Sequence, residues 1–262
     1  MPAVFIGHGS PAIALEKDEF NSSLLKFFSN LKPMPKAIIA LSAHWLTQGN
    51  EILVTGKSQL NSIYDFFGFP APLYDLKYEP QGDFQLAEKI QAELEKNGFE
   101  CSIDFNRGID HGVWIPLLIG RPQCDFSVVE VSIPNTDDAK IHFKLGQSLG
   151  ALLTDEVLLL GSGNLIHNLG EVYWDEPRGE PIPWAQDFEN WFFDTLKTGD
   201  WEKLFNWRQE VSDPSRIHPS PEHFYPVFSV LGACQKRESL KFIYQGFHNR
   251  SVSMTSFSFD LV

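Results

Sequence analysis

Five histidines stand where chemistry is possible. His8 closes an apolar run, Ala3 to Ile6, in the segment Phe-Ile-Gly-His-Gly-Ser-Pro, and His44 closes a second, Ala37 to Leu41, in Ser-Ala-His-Trp. His167 lies a few residues beyond a third run, Val157 to Leu160, within Ser-Gly-Asn-Leu-Ile-His-Asn-Leu. Neutral imidazole is the commonest transition-metal ligand, and its ordinary pKa of about 6.5 also suits it to carrying a proton near neutrality. A single histidine is more often a packed, hydrogen-bonded residue than a ligand. Three at the ends of three separate strands reverse those odds, because the loops leaving an open α/β sheet converge on the edge where ligands bind.

His223 sits in Ser-Pro-Glu-His, where Ser220 is placed to cap a helix that begins at Pro221, so its imidazole is expected to project from a first helical turn. Glu222 beside it is an alternative third ligand, since two histidines and a carboxylate form the facial triad of non-haem iron(II) oxygenases. Neighbouring residues on a helix point about 100° apart, so only one of the two should face a metal. His111, in Gly-Ile-Asp-His-Gly-Val-Trp, is expected beside the site, with Gly108 and Gly112 permitting close approach to a ligand. His142 falls among helical apolar positions and reads as packed, while His218 and His248 are expected at the surface. The Gly161 to Asn164 turn lacks the dinucleotide fingerprint, and neither a phosphate loop, a nucleophile elbow nor a His-Glu-x-x-His helix occurs. Ser10 is a weak nucleophile, because the imidazole beside it is better used as a ligand.

These residues need a frame. The three apolar runs, with Val128 to Ile133, read as buried strands. Helical stripes lie between them: Phe20, Leu24, Phe27, Phe28 and Leu31; Leu86, Ile90 and Leu94; Ile141, Leu145, Leu149 and Leu152. Asp83 and either Asn135 or Thr136 are placed to cap helices, and Gly98 to end one. The alternation predicts an α/β fold, a central, mostly parallel sheet flanked by helices. Leu240 to Phe247 and the alternating Val252, Met254, Phe257, Phe259 and Leu261 predict a C-terminal antiparallel strand pair at the sheet edge. Tyr64 to Pro80, aromatic and rich in Gly and Pro, reads as a long ordered loop of the kind that carries function.

The 262 residues are close to the limit of one hydrophobic core, so a single catalytic domain over residues 1–262 is expected. A net charge of −13 with no basic run argues against a nucleic-acid partner. Cys101, Cys124 and Cys234 are odd in number and unpaired in spacing, which favours a reducing, cytoplasmic setting. No apolar run approaches the roughly 20 residues that span a bilayer.

The segments Phe5 to Pro11, Ser42 to Trp45, Tyr-Asp-Phe-Phe-Gly-Phe-Pro with the following Leu-Tyr-Asp, Asp110 to Trp114, Ser162 to Leu169, Pro183 to Ala185 and Pro221 to Phe228, in this order, resemble the class III extradiol ring-cleaving dioxygenases, within them the DOPA 4,5-dioxygenase-like branch. The resemblance covers nearly the whole chain. It implies a non-haem metal held by His8, His44 and His223, with His167 as the acid–base residue and His111 lining the substrate pocket. Iron(II) is implied for activity, with zinc(II) able to take the same place and then to recruit His167. The partners implied are a small aromatic diol and dioxygen, with the chain a monomer or homodimer. Two other readings use the same histidines: a zinc hydrolase that activates water, and a non-catalytic metal-binding protein.

Overall fold

The computed structural model describes residues 3–49, 51–234 and 237–260. Its main sheet is built from β1 (Ala3–Gly7), β2 (Ala37–Thr47), β3 (Glu51–Thr55), β4 (Glu100–Asp104), β5 (Ser127–Pro134), β6 (Val157–Gly163), β7 (Lys241–Tyr244) and β10 (Ser256–Phe259). A separate antiparallel hairpin is formed by β8 (Phe247–His248) and β9 (Val252–Ser253). Strand order across the main sheet is β4-β3-β5-β2-β6-β1-β10-β7. Its centre, β5-β2-β6-β1, is parallel, and β10 and β7 add antiparallel strands on one side.

The four apolar runs are thus the four central strands, and the C-terminal stretch is antiparallel as expected. That stretch splits into two pairs, however, β7 with β10 and β8 with β9. Leu261 lies outside the described residues. The sequence pattern also passes over β3 and β4. They lie at the outer side of the sheet, where one face is wet, and β4 alternates exposed and covered residues in place of a continuous apolar run.

Alternate residues of each central strand serve opposite faces. On one face Ala3, Phe5, Ile39, Leu41 and Val129 pack against the helices α3 (Phe84–Lys96), α5 (Ala139–Gly150), α6 (Pro183–Thr198) and α10 (Tyr225–Ala233), through Ile90, Leu145, Phe192 and Val227. Val4, Ile6, Ile38, Ala40 and Leu160 pack on the opposite face against α1 (Glu19–Asn30) and α4 (His111–Gly120), through Phe20, Leu24, Phe28 and Trp114. The remaining helices are short: α2 (Ala71–Asp75), α7 (Trp201–Phe205), α8 (Trp207–Glu210) and α9 (Pro214–Ile217).

Asp83 caps α3 through the Leu86 N–H, and Gly98 follows its end at φ +83°, both as expected. The cap of α5 is Asp138, which accepts from the Lys140 N–H, in place of Asn135 or Thr136. Ser220 caps nothing: α10 begins only at Tyr225, so His223 lies in the turn before the helix. The aromatic segment from Tyr64 to Pro80 is a loop apart from α2, pinned by Tyr64 Oη donating to the Leu76 carbonyl at 2.6 Å.

Candidate functional site

β2, β6 and β1 are neighbours, so their carboxyl ends open on one edge. His8 extends the β1–β6 ladder by donating its N–H to the Gly163 carbonyl at 3.0 Å. Its ring Nδ1 lies 2.9 Å from Ser162 Oγ. The Ser162 hydroxyl has one proton, which it gives to the Gly112 carbonyl, so it accepts from His8. The ring proton therefore resides on Nδ1, and the Nε2 lone pair faces the site.

His44 falls in the irregular stretch of β2, between Leu41 and Leu46, where pairing with β5 is interrupted. Its backbone N–H donates to Ser42 Oγ at 3.2 Å, and Ser42 donates to Asp110 Oδ1 at 2.6 Å. Arg107 closes this chain by donating to Asp110 Oδ2 at 2.9 Å. The result is that His44 Nε2 stands 3.1 Å from His8 Nε2.

Asp65, from the aromatic loop, links two more groups. Its Oδ1 accepts from the His111 ring Nδ1 at 2.9 Å and from the His111 backbone N–H at 3.1 Å. Its Oδ2 lies 3.6 Å from His44 Nδ1, too far for a hydrogen bond. Burial pushes the Asp65 carboxyl up, but the hydrogen bonds from His111 hold it below the usual value. His111 is the first residue of α4. Gly112 lets that helix approach β2, since a Cβ there would meet Ser42 Oγ at 2.5 Å. Gly108 likewise lies against the Asn61 carbonyl, so both glycines permit close contacts within the chain.

His223 reaches the same edge because β6 ends in glycine: a Cβ on Gly163 would collide with the His223 carbonyl, which instead accepts from the Asn164 N–H at 2.8 Å. The rings of His223 and His167 stack at 3.6 Å with 8° between their planes. The His223 ring centroid is 5.3 Å from that of His8 and 4.9 Å from that of His44, while that of His111 is 5.6 Å and 4.0 Å from the same two. Glu222 turns back on its neighbour, its Oε1 lying 3.1 Å from His223 Nδ1. Among the described residues, the groups whose donor atoms lie within 4.8 Å of one another, as a metal would need, are His8, His44 and His111, and His167, Glu222 and His223.

All five singled-out histidines thus meet at one place. His142 does not: it is fully buried, bonded through Nε2 to the Thr136 carbonyl at 3.0 Å and stacked on Tyr225. His218 and His248, expected at the surface, are both buried, His218 against the Leu165 carbonyl at 2.9 Å and His248 at the rim of the site. Ser10 Oγ faces the Ala12 N–H at 3.4 Å, where it caps a short turn of helix. Sequence reading passed over Asp65 and Ser162, two of the acceptors that orient ring protons. Asp65 was legible only as the one acid between aromatics in Tyr-Asp-Phe-Phe.

Burial pulls the basicity of the four strand-end and turn imidazoles down. It holds His8 and His223 well below the ordinary imidazole value, and neighbouring imidazoles lower them further. It draws His44 and His167 to about 4. At neutral pH these are uncharged rings with free lone pairs. His8 Nε2 offers its lone pair to His44 Nε2 across 3.1 Å, a contact that is filled by a proton on His44 Nε2 or by a shared cation. Two imidazoles bound at about 2.1 Å and set at octahedral to tetrahedral angles stand about 3.0 to 3.4 Å apart, so the donor set fits a transition metal. Beside it lies a cavity of about 350 Å³ with Phe66, Phe69, Val172 and Val252 among its walls.

Residues 2–259 match the family described as the catalytic LigB subunit of aromatic ring-opening dioxygenase. The chain belongs to this LigB family. LigB-family relatives include "4,5-DOPA dioxygenase extradiol" of Beta vulgaris, 34% identical over 97% of this chain and 95% of that one. A protein of the same name from Escherichia coli K12 is 35% identical over 98% of this chain and 93% of that one. The crystal structure of an uncharacterised Escherichia coli K12 protein superposes with a TM-score of 0.83 at 32% identity, covering 99% of this chain and all of the other. This LigB-family chain is a non-haem extradiol dioxygenase, an enzyme acting on a small aromatic compound with dioxygen. The zinc-hydrolase and non-catalytic readings have no counterpart among these relatives. Among the described residues, no helix is long and apolar enough to cross a membrane.

Proposed function

We propose that one catalytic domain opens the ring of a substituted catechol, DOPA-like or otherwise, beside its two hydroxyls, at iron(II) held by His8, His44 and His223. The observation that carries this is the convergence of neutral imidazoles beside an apolar cavity, His8 and His44 from the neighbouring strands β1 and β2, His167 from beyond β6 and His223 from the turn before α10. Iron(II) bound there would supply the Lewis acidity that eases loss of a catechol proton and the redox route by which dioxygen oxidises the ring. Zinc(II) suits the same rings, as a form without redox activity.

The chain's own groups do the rest. Ser162 holds His8 with its proton on Nδ1, and Glu222 does the same for His223, so that each offers Nε2. His167, kept neutral by burial, takes a proton from the catechol hydroxyl and returns it as the ring opens, with both oxygen atoms of dioxygen retained in the product. His111, fixed by Asp65, lines the pocket; its closeness to His44 makes it the competitor of His223 for the third ligand position. Phe66 and Phe69 offer apolar surface to the substrate ring. A cytoplasmic monomer or homodimer completes the reading.

The test is anaerobic reconstitution with iron(II), then oxygen uptake with a panel of catechols. Oxygen consumption with a yellow ring-opened product is expected. No uptake with any catechol, or full activity on a hydrolysable substrate without oxygen, overturns the proposal.

A further inference from the structure

His44 sits where the sheet does least to hold it. Pairing of β2 with β6 ends at Ser42, and pairing with β5 is interrupted between Leu41 and Leu46, so the backbone around His44 is left to other groups. Side chains take over from the ladder. The His44 N–H donates to Ser42 Oγ, Ser42 donates to Asp110 Oδ1 at 2.6 Å, and Arg107 donates to Asp110 Oδ2 at 2.9 Å. The same guanidinium lies 4.4 Å from the centre of the Trp45 ring, so the residue after His44 is gripped as well.

Behind Asp110 stands a second acid. Glu130 is the one acidic residue in the central strands β1, β2, β5 and β6, and both it and Asp110 are fully buried. Among the described residues, neither Glu130 carboxyl oxygen has a hydrogen-bond donor in good geometry, and Arg107 Nη2 stays 3.7 Å away, too far for a hydrogen bond. Burial first, then the charge of Asp110 and the hydrogen bond to its carboxyl, push Glu130 well above the usual carboxylate range. Ionised, Glu130 would be a second buried anion beside a guanidinium already engaged by the first. A proton on Glu130 removes that conflict and turns an acceptor without a partner into a donor, and the acceptor within its reach is the Asp110 carboxylate.

Resting on the assignment of His44 as a metal ligand, we propose that Glu130 is a positioning residue: its carboxyl O–H donates to Asp110, locks Asp110 as the acceptor of Ser42, and through Ser42 fixes His44 opposite His8. Asp110 then holds three donors, Ser42, Arg107 and Glu130, and cannot turn away from the strand it braces. Glu130 is absent from the cavity walls, so its effect on the site passes through this chain of hydrogen bonds and not through contact with substrate.

The experiment compares Glu130→Met, which keeps the length of the side chain and carries no donor, with Glu130→Gln, which keeps a donor as N–H. The full chain gives a zinc(II) Kd by competition with a chelator, and the iron(II)-reconstituted enzyme gives kcat/KM for methylcatechol from oxygen uptake. Glu130→Met is expected to weaken zinc(II) binding and lower kcat/KM by at least about tenfold, and Glu130→Gln to recover most of both losses. In a Ser42→Ala background, where the route is already cut, Glu130→Met is expected to change the zinc(II) Kd by less than about twofold. Equal losses in the two variants, losses that add to that of Ser42→Ala, or a fall in Tm with zinc(II) binding and turnover unchanged overturn this inference and leave the ligand assignment standing. So does a Glu130→Gln chain that binds zinc(II) about tenfold more weakly than the unaltered one, whether or not Glu130→Met folds. Failure of the unaltered chain to bind zinc(II) overturns both.

Discussion

His8 Nε2 and His44 Nε2 lie 3.1 Å apart, and His8 has already committed its ring proton to Ser162. Two imidazole nitrogens held this close at the sheet edge are placed to share a cation, since the strands that carry them are fixed by the sheet. The proposed ligation makes a direct demand on both residues. His8→Ala and His44→Ala are each expected to lose metal as well as turnover, seen as metal content after dialysis. Normal metal content in both variants would end the ligand assignment.

The third position is settled by the same measurement on a second pair. His223→Ala is expected to lose metal, while His111→Ala keeps it and raises KM, because His111 faces the substrate. The reverse pattern would assign the metal to the His8, His44 and His111 group instead.

His167 stacks on His223 but is proposed to move a proton and not to hold the metal. His167→Ala is then expected to keep its metal and to lose about 100- to 10,000-fold in kcat. A rate close to that of the unaltered enzyme on a good substrate would refute the assignment.

Much of this arrangement is readable before folding. Buried parallel strands are continuous apolar runs, so β1, β2, β5 and β6 stand out, and the histidines at their ends stand out with them. The outer strands β3 and β4 do not, because a half-wet strand shares its alternation with many loops. Helix α4 is hidden for the opposite reason: it is apolar nearly all round, with Pro116 inside, and shows no stripe. The groups that fix tautomers are the least visible, since Asp65 and Ser162 work through contacts 46 and 154 residues away in sequence. Likewise, the burial of His218 depends on Trp207 of α8 and that of His248 on Phe20 of α1, distant contacts that no local pattern announces.

Asp65 is the test of whether the aromatic loop is part of the machinery. Asp65→Asn keeps the size but removes the charge that orients His111 and faces His44. Loss of such a partner typically costs about 10- to 100-fold in metal affinity or activity. A drop of that order in kcat/KM or metal affinity, with thermal stability little changed, is expected. An unchanged enzyme would show the loop to be a cover only.

The buried histidines also set a pH limit on the metal-free protein. His44, His142, His167 and His248 are drawn by burial to about 4, His218 to about 3, and His8 and His223 well down as well. The unfolded chain takes up these protons as pH falls through about 6.5, whereas the folded chain takes them up only at lower pH. Unfolding therefore binds protons in that window, and each group costs up to about 1.4 kcal/mol of stability per pH unit as pH falls. Glu189, raised by burial to about 7, and Glu130, raised well above its usual value, act in the opposite direction, because the folded chain takes their protons first. Seven histidines outweigh two acids. The Tm of the metal-free protein is expected to fall steadily between about pH 6.5 and 4.5, and a Tm that holds level or rises across this range would show that the imidazoles are not kept neutral by the fold.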